Sequence, residues 1–228
     1  MDPITLTTGR LVLRPHLPSD VDETYAACQD PAIARWIPVA VPYGRSDAEE
    51  YVTRAAPERW REGTEFNLVA RLGANGPLVA TLGLVPAGNH AHEVGFWAVD
   101  GHRGKGYATE ALLAVARWAF TELGCVRLVW RAGLGNTASR AVAEKAGFTF
   151  EGVQRAGMEH RGLLRDCWVA SLLPADLGLP SPLPAESLPY GSEPDGSEPD
   201  TAAPDESAPD GAAPDGAPLS VAGPRVRS

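Results

Sequence analysis

Hydrophobic and polar residues alternate in several short runs of this chain, and a period of two is typical of β-strands. The first run, residues 10–14, places Leu11 and Leu13 on one face and ends at Pro15. Three more strands are predicted, separated by short turns rich in glycine and proline, at residues 66–72, 78–84 and 93–99. Connections this short favour antiparallel pairing between consecutive strands.

The period changes to that of a helix after the fourth strand. Ala108, Leu112 and Val115 share one helical face, which predicts a helix over residues 106–123 that ends at Gly124. The remaining elements predicted are a strand at 126–130, a helix with Asn136 as its N-cap, and two closing strands at 148–153 and 167–173.

Two further helices are predicted in the first third of the chain. Ser19 and Asp20 start one of them, and Pro31 lies beyond its end. The other begins at Ser46, where Glu49 completes a capping box, and Pro57 is expected to kink it. All elements together predict the α/β (α+β) class, with an antiparallel meander, then a βαβ unit, then a closing hairpin.

Charge divides the chain into two parts. Residues 1–178 carry a net charge of −2, whereas residues 179–228 carry −7 and 11 of the 21 prolines. Because the second part has few bulky apolar residues to offset the entropy of ordering, it is predicted to be a disordered acidic tail. Within it, proline followed by aspartate recurs every five residues from 191 to 215. The repeat is interpreted either as a solvated appendage or as a docking tail or electrostatic shield.

Residues 1–178 are long enough for one domain, and their composition argues against several classes of protein. Acidic and basic residues nearly balance, so nucleic acid is not an expected partner. No apolar run approaches the ~18 residues of a membrane span, and the first residues lack a signal-peptide pattern. Cys28, Cys125 and Cys167 fit neither a disulfide framework nor a zinc site. A soluble cytoplasmic protein that binds no metal is therefore expected.

Residues 102–110, with the sequence HRGKGYATE, form a glycine turn between the fourth strand and the long helix. Two glycines allow close approach of a ligand to the backbone, and the unpaired N–H groups of a helix N-terminus attract an anion. Arg103 and Lys105 add positive charge. The turn matches neither a P-loop nor a dinucleotide-binding fingerprint. On its own it predicts either a pyrophosphate site or a structural turn.

Five segments of the chain carry a combined pattern. Arg103-x-x-Gly106-x-Ala108 has the form of an acyl-CoA signature, and residues 93–97 (EVGFW) precede it as a strand. The other three are residues 8–15 (TGRLVLRP), 136–148 (NTAS followed by EKAGF) and 161–166 (RGLLRD). In this order, over residues 8–174, they resemble the GNAT N-acetyltransferases, in particular the RimJ/RimL-like branch of ribosomal-protein N-acetyltransferases.

The resemblance implies a GNAT fold, which is a mixed and mostly antiparallel sheet of about seven strands flanked by helices. The fourth and fifth strands would splay apart around acetyl-CoA. Backbone groups of Trp97, Ala98 and Val99 would bind its pantetheine arm, with the N–H near Val99 polarising the thioester carbonyl. Asn136 would lie near the cofactor. The pyrophosphate would be held by backbone amides of Arg103, Gly104, Lys105, Gly106, Tyr107 and Ala108.

The resemblance also implies direct attack of a neutral amine on the thioester, with a proton donor for the leaving thiolate. Ser139 matches the serine of the RimJ/RimL branch in this place, and a hydrogen bond to its own helix backbone is the alternative. Glu93 is the candidate general base. Some relatives carry a carboxylate on the closing hairpin, but that position is Met158 here, beside Glu159 and His160. Glu159, or no base at all, is the alternative.

The sequence thus predicts an acetyl-CoA-dependent N-acetyltransferase that acts on a primary amine in a ternary complex. The acceptor is a protein N-terminal amine or a small-molecule amine. The protein is compatible with a homodimer in either case. A non-catalytic acyl-CoA-binding or interaction module with an acidic docking tail is the alternative, which binding without turnover would reveal. Four aromatic residues either line an acceptor pocket or belong to the core, namely Trp36, Trp60, Phe66 and Trp130.

Overall fold

The computed structural model describes residues 1–183, so the proline-aspartate repeat of the predicted tail lies outside the described residues. Leu177 and Leu179 pack against the main hydrophobic core. Contacts of the folded domain therefore extend one residue past the boundary predicted at residue 178.

One mixed sheet of eight strands forms the centre of the domain. The strands are β1 (Leu6–Thr7), β2 (Leu11–Arg14), β3 (Phe66–Leu72), β4 (Leu78–Pro86), β5 (Ala91–Ala98), β6 (Arg127–Gly133), β7 (Thr149–His160) and β8 (Leu163–Leu172). They lie side by side in the order β1-β2-β3-β4-β5-β6-β8-β7. The β5–β6 pair is parallel and the other six pairs are antiparallel. This confirms the predicted sheet, with the two-residue β1 as the additional strand.

Helices cover both faces of the sheet. They are α1 (Val21–Ala27), α2 (Pro31–Trp36), α3 (Arg45–Glu50), α4 (Ala56–Glu62), α5 (Tyr107–Glu122) and α6 (Thr137–Lys145). Along β5, Phe96 and Ala98 contact the larger hydrophobic cluster, built around α5, and Trp97 contacts a smaller one that includes residues of α1, α2 and α3. Because alternate residues of a strand point to opposite faces, the two clusters lie on opposite sides of the sheet. None of the described helices is long and apolar enough to cross a membrane.

The predicted start of the third helix is wrong. α3 begins at Arg45 with Gly44 as its N-cap, and the Asp47 carboxylate accepts a hydrogen bond from the Gly44 N–H at 2.7 Å. Ser46 therefore lies inside the first turn. A π-helical segment, Tyr51–Ala55, joins α3 to α4. It places Pro57 in the first turn of α4, where a missing N–H is tolerated, and this is the interruption that the proline predicts.

Pro31 lies beyond the end of α1, as predicted, but a further helix that the sequence analysis missed, α2, begins there. Pro31 is the first residue of α2 and Asp30 is its N-cap, because the Asp30 carboxylate accepts a hydrogen bond from the Ala32 N–H at 2.8 Å. A capping residue followed by proline is a helix-start pattern, so the signal was present in the sequence.

Candidate active site

The parallel strands β5 and β6 separate in the middle of the sheet. Their pairing runs from Ala91 opposite Arg127 to Val94 opposite Trp130, and both strands continue beyond it. This confirms the predicted splay of the two strands and opens a gap through the sheet.

Two cavities meet at this gap. A large cavity of about 390 Å³ lies on the α5 and α6 side, and a small cavity of about 80 Å³ extends toward the opposite face, beside Tyr51, Asn67 and Arg131. Both cavities are lined by Trp36, Ile37, Phe96, Trp97, Asn136 and Ser139. A ligand in the large cavity can therefore reach one in the small cavity where the strands part.

The glycine turn forms one end of the large cavity. Gly104 and Gly106 have φ angles of +74° and +80°, and Gly106 is the N-cap of α5 with no side chain to satisfy the first N–H groups of the helix. Five of the six residues predicted to hold the pyrophosphate line the cavity, namely Arg103, Gly104, Gly106, Tyr107 and Ala108. Lys105 does not line it, and its ammonium donates to the Gly101 carbonyl at 2.8 Å.

Arg10 supports the glycine turn from the adjacent strand end, a role that the sequence analysis missed. Its guanidinium donates to the Lys105 carbonyl at 3.0 Å and to the Glu110 carboxylate at 2.6 Å, and it lies over the Tyr107 ring at 4.6 Å. The Thr8 hydroxyl donates to the same carboxylate at 2.5 Å. These contacts hold the turn against the first turn of α5.

Backbone groups at the end of β5 are arranged differently from the prediction. The Val99 N–H donates to the Val79 carbonyl at 3.0 Å, and Val99 lines neither cavity. The structure therefore does not leave that N–H free to polarise a thioester carbonyl. Because bonded and non-bonded pairs alternate in an antiparallel ladder, Ala98, opposite Ala80, directs its N–H and carbonyl toward the gap. The same alternation directs the backbone of Phe96 there and pairs the backbone of Trp97 with β4.

Arg103 spans the entrance of the large cavity. Its guanidinium donates to the Ala98 carbonyl at 3.1 Å, to Asp100 at 3.0 Å and to the Asp30 carboxylate at the start of α2. The side chain thus occupies a backbone acceptor that faces the gap, and it ties the glycine turn to α2.

Replacing Asp30 by asparagine is expected to tighten coenzyme A binding about threefold. Asparagine caps α2 equally well but removes the charge that holds Arg103, so the guanidinium becomes free to meet a phosphate. Isothermal titration with coenzyme A measures the change, and Asp100→Asn, at a carboxylate that is 80% exposed, is the control expected to have a smaller effect. A weaker affinity in Asp30→Asn would mean that the Asp30 contact orients Arg103 for binding.

Ser139 lies where the two cavities join. Its hydroxyl oxygen accepts a hydrogen bond from the Trp130 indole N–H at 3.1 Å, and its backbone N–H donates to the Asn136 carboxamide at 3.2 Å. This confirms Asn136 as the N-cap of α6. Within residues 1–183 the hydroxyl donates to no protein acceptor, so the alternative of a bond to its own helix backbone is not seen, and its proton remains available to a ligand.

Glu93 does not line either cavity. It is 5% exposed, and its carboxylate lies 3.2 Å from the Arg131 guanidinium, which does line the small cavity. Burial raises the pKa of the Glu93 carboxyl and the Arg131 charge opposes that rise. Direct contact of Glu93 with an amine in the cavity therefore does not fit this geometry. Glu159 and His160 line the small cavity, but the His160 Nε2 atom already accepts a hydrogen bond from Arg161 at 3.2 Å.

The four aromatic candidates divide into two pairs. Trp60 and Phe66 pack edge to face at 5.3 Å and both contact Trp118, so they belong to the core. Trp36 and Trp130 line the small cavity, and Trp130, which is 1% exposed, also belongs to the larger hydrophobic cluster. Among residues 1–183, no group of three His, Cys, Asp or Glu side chains is placed to hold a metal ion.

These features are those of an acyltransferase that binds its donor in a splayed sheet. The chain belongs to the GNAT family of acetyltransferases: the family model for the acetyltransferase (GNAT) domain matches residues 10–149. The resemblance inferred from the five segments, and with it the N-acetyltransferase class, is confirmed.

Named relatives agree with this assignment. The Bacillus subtilis protein named "Putative ribosomal N-acetyltransferase YdaF" is 34% identical over 131 residues, which are 56% of this chain and 72% of that protein. Two solved structures share the fold. RimJ of Mycobacterium smegmatis, in complex with CoA-disulfide, has a TM-score of 0.65 at 23% identity and covers 79% of this chain and 90% of its own. RimL, described as a ribosomal L7/L12 alpha-N-protein acetyltransferase in complex with coenzyme A, has a TM-score of 0.66 at 18% identity, covering 75% and 98%.

Proposed function

We propose that this chain binds acetyl-CoA in the large cavity and transfers the acetyl group to the α-amine at the N-terminus of a polypeptide in the small cavity. The observation that carries the proposal is the junction of the two cavities at the Ser139 hydroxyl. The names of the relatives, which describe ribosomal and α-N-protein acetyltransferases, support the choice of acceptor.

The groups along the large cavity fit acetyl-CoA. The uncapped N–H groups at the start of α5, together with Arg103, suit the negative pyrophosphate. The Ala98 N–H and the Phe96 backbone groups, which have no partner strand on the gap side, suit the pantetheine amides in the manner of an added strand, whereas the Ala98 carbonyl already accepts from Arg103. One of their N–H groups would polarise the thioester carbonyl, the role that the resemblance implied for Val99.

Transfer forms one C–N bond and breaks one C–S bond, so the amine must lose a proton and the thiolate must gain one. Ser139 would donate or position the second proton, since the indole of Trp130 fixes the orientation of its oxygen. No described carboxylate is placed to deprotonate the amine directly except Glu159. An amine that arrives neutral and is held in line needs only positioning and desolvation.

Release of free thiol from acetyl-CoA tests the proposal against N-terminal peptides, amino acids, polyamines and aminoglycosides. Turnover with the peptides is the expected result, and mass spectrometry should locate the acetyl group on the α-amine. Preferential turnover with a polyamine or aminoglycoside would replace the proposed acceptor. Coenzyme A binding without turnover on any amine would instead support the non-catalytic module.

A further inference from the structure

The inner wall of the small cavity is formed by one face of the sheet. Asn67 of β3 pairs with Gly83 of β4, which pairs with Gly95 of β5. Alternation places the side chains of Asn67 and Thr81 on this face, together with that of Arg131 beyond the gap. Because the two glycines carry no side chain, the polar groups of Asn67, Thr81 and Arg131 border open space.

One hydrogen-bond donor in this wall lacks a partner among the described residues. The Arg131 Nε–H is buried and has no hydrogen-bond partner among the described residues. Asn67 is 5% exposed, and its amide lies beside the buried Glu65 carboxylate, which takes it as a donor, so that Asn67 opposes the rise that burial causes in the pKa of Glu65. Buried donors are normally satisfied, so this wall is suited to a ligand that brings an oxygen acceptor.

The charges around the small cavity also favour a ligand with an oxygen acceptor over one with several positive charges. The Glu93 carboxylate, which does not line the cavity, lies 3.2 Å from the Arg131 guanidinium and balances its charge. Within the described chain, Glu159 is the one carboxylate that lines the cavity. A polyamine or aminoglycoside carries several positive charges and would need more carboxylates than this to offset the loss of its hydration.

We propose that Arg131 is a specificity-determining residue that binds the carbonyl or carboxylate oxygen next to the acceptor amine, with Glu93 as its positioning residue. The acceptors that fit are aminoacyl compounds, in which an amine and such an oxygen share one carbon. This inference rests on the proposed function and adds the group that selects the acceptor.

Two acceptors of similar size and shape test the inference. Alaninamide and isopropylamine differ in the carboxamide that Arg131 would bind, and rates are compared at equal concentrations of neutral amine. The protein is expected to prefer alaninamide by more than about tenfold in kcat/KM, the low end of what a hydrogen bond to a charged group contributes. A free-alanine arm and an alanyl-peptide arm distinguish a carboxylate oxygen from a peptide carbonyl.

Arg131→Gln is expected to raise KM for alaninamide about twentyfold, with little change in kcat or in coenzyme A affinity. The isopropylamine rate should stay within about threefold, so the preference between the two amines nearly disappears. Arg127→Gln is the matched control, because Arg127 lies on the same strand and pairs with Glu151 at 2.7 Å without lining the cavity.

Folding is controlled with the double variant Glu93→Gln/Arg131→Gln, which leaves no unpaired buried charge and should show the same loss of preference. Equal use of alaninamide and isopropylamine by the unsubstituted protein, or an unchanged preference in both Arg131 variants, would overturn the inference while leaving acetyl transfer intact. Binding of coenzyme A with no transfer to any amine would overturn the proposed function as well.

Discussion

Replacing Ser139 by alanine lowers kcat by about a hundredfold and leaves coenzyme A affinity unchanged, if the hydroxyl serves the leaving thiolate. Proton transfer from a positioned group contributes about that much or more. The structure supports this role because the Ser139 oxygen accepts from the Trp130 indole at 3.1 Å and lies where the two cavities meet. Steady-state thiol release measures kcat, and isothermal titration measures coenzyme A affinity.

Two further variants separate this role from a structural one. Thr137→Ala removes an exposed hydroxyl from the same first turn of α6, away from both cavities, and should leave kcat unchanged. Trp130→Phe keeps an aromatic ring, although a smaller one at this buried position, and removes the indole donor, so it should lower kcat less than Ser139→Ala does. A Ser139→Ala protein with unaltered kcat would show that the thiolate takes its proton from solvent.

Replacing Gly106 by valine weakens coenzyme A binding by about fiftyfold. Gly106 has a φ of +80°, which strains a β-branched residue, and a Cβ there would come within 3.4 Å of the Arg10 guanidinium. Relief of this backbone strain would turn the N–H groups at the start of α5 away from the pyrophosphate. Loss of one or two charge-assisted hydrogen bonds accounts for an effect of this size.

Gly124→Val is the control for this substitution. Gly124 follows the other end of α5 with a φ of +63°, and it lines neither cavity. Both variants should lose similar thermal stability, because both impose the same kind of backbone strain. Coenzyme A affinity should fall in Gly106→Val alone. Equal affinities in the two variants would place the pyrophosphate elsewhere.

The elements that the sequence predicted correctly are those whose signals are local. The stripe of Leu112 and Val115 identifies α5, and Asn136 caps α6 as expected. The glycine turn was recognised because its residues are consecutive in the chain. Local signals failed where two possible N-caps lay close together. Ser46 was predicted to cap α3, but Gly44 and Asp47 form the cap.

Local sequence signals could not predict where the site residues lie relative to one another. Val99 and Ala98 are equivalent in the sequence, and the pairing of β5 with β4 decides that Ala98 faces the gap. The sequence places Glu93 in the cleft, yet Glu93 lines neither cavity and pairs with Arg131 from β6, which lines the small one. Strand register is a long-range property, because it depends on residues that are distant in the chain.

The sequence by itself determined seven of the eight strands, the long helix α5, the glycine turn and the membership of the GNAT family, because periodicity, capping and short motifs act over a few neighbouring residues. Tertiary structure alone decided which backbone groups remain unpaired, which aromatic side chains enter the core, and that Arg10 and Arg131 join the site. These outcomes depend on the packing of segments that are far apart in the chain, such as Arg10 on Glu110. No local pattern specifies such contacts, since their free energy is gained only once both segments are in place.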